Sequence, residues 1–77
     1  MYLNLVEILA AILEVDVEQI NLNSSKQDFD DWDSLATMEV MSKLEDYYEV
    51  RFSAVDIMSV GTVSQILNLL TQETKSK

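Results

Sequence analysis

Apolar residues recur at Leu3, Val6, Leu9, Ala10 and Leu13 with the spacing of one helix face, and Leu5, Ile8 and Ile12 widen the stripe. The pattern predicts a deeply packed first helix over 3–13. From Glu14 to Asp33 the chain turns polar, and only Val15, Val17, Ile20, Leu22, Phe29 and Trp32 can pin it down. A connection of this length in a small domain is commonly functional or flexible. Inside it, Asp16 and Gln19 have the spacing of a capping box, which predicts one short turn with Val17 and Ile20 tucked under the bundle.

Helical periodicity resumes at Asp33 or Ser34 and continues to about 49. Leu35, Met38, Met41, Leu44 and Tyr48 form the predicted buried stripe, and Glu39, Ser42, Lys43, Glu45, Asp46 and Glu49 the solvated side. Tyr48 continues the Leu44 stripe, which leaves Tyr47 at the surface. Ser53 and Asp56 form a second box, opening a short helix over 53–58 whose apolar contacts come from Val55, Ile57 and Met58. Gly61 punctuates the chain. Thr62 and Gln65 then open a fourth helix over 62–70 with the stripe Val63, Ile66, Leu67 and Leu70, and the polar tail 71–77 is expected to fray. The predicted fold is all-α: a small four-helix bundle of three main helices and one short one, with a long first loop, in a single domain spanning 1–77.

Composition narrows what such a bundle can do. Seventy-seven residues allow one core, and the lack of proline with a single glycine favours helices over turn-rich sheets. Fourteen acidic against five basic residues give a net charge of -9, which opposes binding to nucleic acid or anionic membranes and favours partners with basic patches. With no cysteine and no histidine, disulfides, thiolate metal sites, cysteine nucleophiles and the commonest general base are all excluded. The longest apolar run, Ile8 to Leu13, is too short to span a bilayer, and the N-terminus lacks the positive charge and cleavage site of a signal peptide. A cytoplasmic monomer is expected.

Candidate chemistry gathers in Asp28-Phe29-Asp30-Asp31-Trp32-Asp33-Ser34-Leu35, where a serine opens a helix just after a cluster of carboxylates. Without a histidine to act as base, Ser34 is not a self-activated nucleophile. Its hydroxyl, near free backbone N–H groups and the positive end of a helix dipole, suits a phosphoester placed there by another enzyme. An ordinary helix cap is the plain alternative. Counting Asp28 as position one of a calcium loop puts Asp30 at three and Glu39 at twelve, but Trp32 falls at a ligand position and Asp33 replaces the turn glycine, so no metal is expected. Trp32 has two readings: a cap on the core beneath the loop, or a shield or partner contact beside Ser34.

Asp33-Ser34-Leu35, followed by the amphipathic Met38-Glu39-Val40-Met41-Ser42-Lys43-Leu44-Glu45, resembles the Asp-Ser-Leu motif and second helix of acyl carrier proteins and related carrier domains. The resemblance spans nearly the whole chain, because the first helix, the acidic loop, the one-turn helix and Thr62-Val63-Ser64-Gln65-Ile66-Leu67 follow in the family's order. It implies that Ser34 is esterified by 4'-phosphopantetheine from coenzyme A, whose thiol carries acyl or aminoacyl cargo as a thioester. The chain would then be a non-catalytic carrier, the substrate of a phosphopantetheinyl transferase and of acyl- or aminoacyl-loading ligases or synthases. Asp33, Leu35, Met38 and Glu39, with Trp32, would be read by those partners. Asp31 and Trp32 ahead of the motif, Ala36 after it and Lys43 depart from the common fatty-acid pattern. They point to a dedicated biosynthetic pathway, with an aminoacyl or peptidyl carrier, or an unmodified acidic interaction module, as alternatives.

Overall fold

The computed structural model describes residues 1–75. Helix α1, Tyr2–Leu13, buries Leu5, Val6, Leu9, Ala10 and Leu13. Leu3 does not join that stripe and is exposed. The buried face follows the Leu5–Leu9–Leu13 row, and Leu3 sits about a third of a turn away from it. The helix stops at Glu14, which takes the left-handed conformation at φ 58°, so that its own N–H and that of Val15 both reach the Ala10 carbonyl.

The connection to the next helix holds two short 3₁₀ turns. The first, Val17–Gln19, is boxed by Asp16 and Gln19 as the spacing predicts. Ile20 is buried after it, but Val17 faces solvent, because a three-residue turn offers no face wide enough to bury both. The second, Lys26–Asp28, was not anticipated, although Ser25 and Asp28 form the box that starts it. Backbone bonds then stitch this segment to the start of the last helix. Lys26 N–H donates to the Gly61 carbonyl at 3.0 Å, Val63 N–H to Ser24 at 3.0 Å and Ser64 N–H to Leu22 at 3.1 Å, around an isolated bridge between Ser25 and Thr62. The long loop is thus fastened at its middle.

Helix α2, Ser34–Tyr48, buries Ala36, Thr37, Val40, Met41 and Leu44. The predicted stripe is out of phase at its start: Leu35 is 64% exposed and Met38 57%. Val40 and Leu44 set the inward direction, and Leu35 falls on the opposite side of the helix. Tyr48 packs against the core while Tyr47 is exposed, as predicted, and Asn4 of α1 donates to the Tyr48 hydroxyl at 2.9 Å. Glu49, at φ 54°, ends α2 as Glu14 ends α1, with its N–H and that of Val50 on the Glu45 carbonyl. The Glu45 carboxylate also accepts from Phe52 N–H at 2.8 Å, so one residue organises the whole turn.

Helix α3, Ala54–Ser59, buries no residue. Val55 and Met58, predicted to supply contacts, are exposed, and Ile57 alone packs partly on the core. Six residues make too little helix to bury more than one side chain; the Ser53–Asp56 box holds its start. Helix α4, Val63–Lys75, buries Val63, Ile66 and Leu70, with Leu67 partly covered. It does not fray at 71 but continues to Lys75. Nothing in that stretch breaks a helix, Leu69 and Leu70 still pack, and Thr71 bonds back to the Leu67 carbonyl at 2.8 Å. Residues 76 and 77 of the predicted tail lie outside the described residues. The four helices enclose one core in which Leu5, Leu9, Met41, Leu44, Ile66 and Leu70 are almost wholly shielded from water.

Candidate functional site

The start of α2 is held by a small network that runs from the surface at Asp33 into the core at Thr37 and Trp32. Asp33, in extended conformation, is the N-cap, and its Oδ1 accepts from Ala36 N–H at 2.9 Å. Its carbonyl accepts twice from Thr37, from the backbone N–H and from Oγ1, each at 3.0 Å. Thr37 Oγ1 in turn accepts from the Trp32 indole Nε1–H at 3.0 Å. Trp32 is only 3% exposed and Thr37 1%. Of the two readings of Trp32, the core cap is the one observed: the ring lies under the loop, 6.4 Å between centroids from Phe29, and has no free face for a partner. Thr37 was not singled out from the sequence. A threonine four residues after a cap, where its hydroxyl reaches the cap carbonyl, was the available signal.

Above this network Ser34 is the first residue of the helix, and its side chain is exposed. Its hydroxyl makes no hydrogen bond among the described residues, and neither do the N–H groups of Ser34 and Leu35. Asp33 caps Ala36 N–H, so two unpaired donors remain beside the hydroxyl at the positive end of a 15-residue helix. The helix start therefore offers two N–H donors to an anion on Ser34 Oγ, set against the carboxylates of Asp30, Asp31 and Asp33 close by in the chain. The hydroxyl opens onto a recess of about 230 Å³ between α2 and α3, lined by Lys26, Ser34, Thr37, Met38, Ile57 and Met58. Its walls are mainly apolar, with Ser34, Thr37 and Lys26 as the polar residues among them.

Asp33, Ser34, Leu35, Met38 and Glu39 thus share the exposed first turns of α2, whereas Trp32 stands behind them in the interior. The acidic run does not converge. Asp28 is taken up by Ser25 N–H at 2.9 Å and Asp33 by Ala36, and among the described residues no three carboxylates are gathered as a metal site would need.

A family model described as a phosphopantetheine attachment site matches residues 4–70. No curated protein sequence matches the chain at a significant level. Among solved structures, the chain resembles the holo acyl carrier protein of Geobacter metallireducens with a TM-score of 0.83 at 23% identity, covering 97% of this chain and 86% of that one. It resembles the acyl carrier protein of Thermotoga maritima with a TM-score of 0.82 at 16% identity, covering 95% and 85%. At such identities these likenesses establish the bundle fold. No helix among the described residues is long and apolar enough to cross a membrane.

Proposed function

The chain belongs to the phosphopantetheine attachment family of acyl carrier domains, and from that premise we propose that Ser34 is the residue that bears the arm. The observation that carries the assignment is the Ser34 hydroxyl: exposed, unbonded, at the first position of α2 and flanked by two unpaired N–H groups. Attachment forms a bond from Ser34 Oγ to the pantetheine-side phosphorus of coenzyme A and breaks its phosphoanhydride, releasing adenosine 3',5'-bisphosphate; the hydroxyl proton goes to a base of the transferase, since this chain has no histidine to take it. The bound group supplies a terminal thiol on which cargo is held as a thioester.

The residues of the chain present that arm rather than catalyse. Asp33 fixes the helix start, and Thr37 with Trp32 locks the backbone behind it, so the attachment point is rigid while the arm moves. Leu35, Met38 and Glu39 offer exposed apolar and acidic contacts to a transferase and to loading enzymes with basic patches. Such docking is fast, salt-sensitive and readily released, as a shuttle needs. We assign the domain to acyl transport in a dedicated cytoplasmic pathway, working as a monomer.

The test is intact-mass measurement before and after incubation with coenzyme A, magnesium and a broad-specificity phosphopantetheinyl transferase. The wild type gains one arm, and Ser34→Ala, equally folded by circular dichroism, gains none. A folded wild type that gains nothing, or an Ala variant that still gains the arm, overturns the assignment. Loading the holo form with acyl against aminoacyl ligases then separates an acyl carrier from an aminoacyl one.

A further inference from the structure

Lys26 is out of place in electrostatic terms. It lies on the second 3₁₀ turn, is only half-exposed, and lines the recess with Ser34, Met38, Ile57 and Met58. In a chain with fourteen acidic residues, its ammonium has no ion pair or hydrogen bond among the described residues. Its near neighbour Asp28 is occupied instead by Ser25, through the backbone N–H and the hydroxyl. Ordering a lysine side chain costs rotamer freedom, and a lysine lining an apolar recess without a counter-charge is free to pair with an anion placed there.

Its position is not left to a free loop. Lys26 N–H is bonded to the Gly61 carbonyl, and the residues on either side of that contact pair through the Ser25–Thr62 bridge. The stitching between the first loop and the start of α4 therefore carries Lys26 to the mouth of the recess. Lys43, Arg51 and Lys75, the other basic side chains among the described residues, do not line it.

We propose that Lys26 is the phosphate-positioning residue of this domain, its ammonium pairing with the phosphodiester on Ser34 and holding it over the recess between α2 and α3. This rests on the reading of Ser34 as the attachment point. The pair answers a local problem: Asp30, Asp31 and Asp33 stand close to Ser34 along the chain, and a further anion beside them needs a nearby cation. Lys26 acts by holding the phosphate. It takes no part in any bond-making step.

The experiment uses the full chain in its holo form, made from wild type, Lys26→Gln, Lys26→Arg and Arg51→Gln. Arg51→Gln removes the same charge at the far end of α2. Intact mass first establishes that each protein carries the arm on Ser34; failure there sinks the attachment reading, not the role of Lys26. The single phosphorus resonance is then followed at low salt and at about 1 M salt, where the screening length falls from about 10 Å at 0.1 M to about 3 Å. In the wild type the resonance moves with salt toward the position of Lys26→Gln. Lys26→Gln shifts it at low salt and loses the salt response, Lys26→Arg keeps the wild-type behaviour, and Arg51→Gln leaves both unchanged. Equal behaviour of Lys26→Gln and Arg51→Gln, whether both shift or neither does, overturns the proposal.

Discussion

Replacing Thr37 by valine tests whether the buried network beneath Ser34 holds the site. Valine matches threonine in shape, so no cavity opens, and the Asp33 carbonyl keeps its bond from the residue 37 backbone N–H at 3.0 Å. The loss falls on Trp32. Its indole N–H, bonded at 3.0 Å to Thr37 Oγ1 inside a nearly dry site, is left with no acceptor. An orphaned buried donor costs about 1–3 kcal/mol, and burying a methyl in place of a hydroxyl returns a fraction of that. We expect Thr37→Val to destabilise the domain by about 2 kcal/mol in urea unfolding followed by circular dichroism. Trp32→Phe removes the donor together with part of the ring. In that background the same valine substitution strands nothing, and its cost should fall to about 0.5 kcal/mol, a coupling of about 1.5 kcal/mol in the double-mutant cycle. Additivity within about 0.3 kcal/mol would refute the reasoning, since independent residues behave that way. A coupled pair whose phosphopantetheinylation is also slowed in Thr37→Val would tie the network to presentation of Ser34.

The remaining expectations follow from single contacts. Asp33→Ala removes the cap on Ala36 N–H and should cost about 1 kcal/mol, while Asp33→Asn retains most of it, as read by urea midpoints. Glu45→Ala frees the Phe52 N–H, held at 2.8 Å, and should cost about 1–2 kcal/mol; a loss no larger than that of Glu39→Ala would show the bond to be immaterial. At Glu49, φ 54°, glycine relieves about 1–2 kcal/mol of left-handed strain against about 0.5–1 kcal/mol of chain entropy, so Glu49→Gly should raise the melting temperature slightly and Glu49→Val should lower it.

Much of the helix scaffold was legible because it is written in local rules. The boxes at Asp16, Ser53 and Thr62 all form, since a side chain and a backbone N–H three residues apart meet wherever the chain turns helically. The candidate serine was legible too, from its place after the acidic run and before a helical stripe. What misled was phase. Leu35 and Met38 looked like core because they are large and apolar, but Ala36, Thr37 and Val40 face inward, and small residues leave a faint periodic signal. Val55 and Met58 misled for the same reason: a six-residue helix binds its apolar residues to no particular face.

By itself the sequence determined an acidic all-helical domain without thiol or imidazole chemistry, with capping boxes at several helix starts and a serine at the start of a helix after an acidic run. These follow from composition and from contacts within four residues, which need no partner segment. Only the tertiary structure decided that Trp32 turns inward to Thr37, that Leu35 and Met38 turn outward, and that Lys26 is carried beside Ser34 by backbone bonds to Gly61 and its neighbours. Those arrangements join residues far apart in the chain or choose between two faces of one helix, and the choice is made by what the other helices leave room to bury.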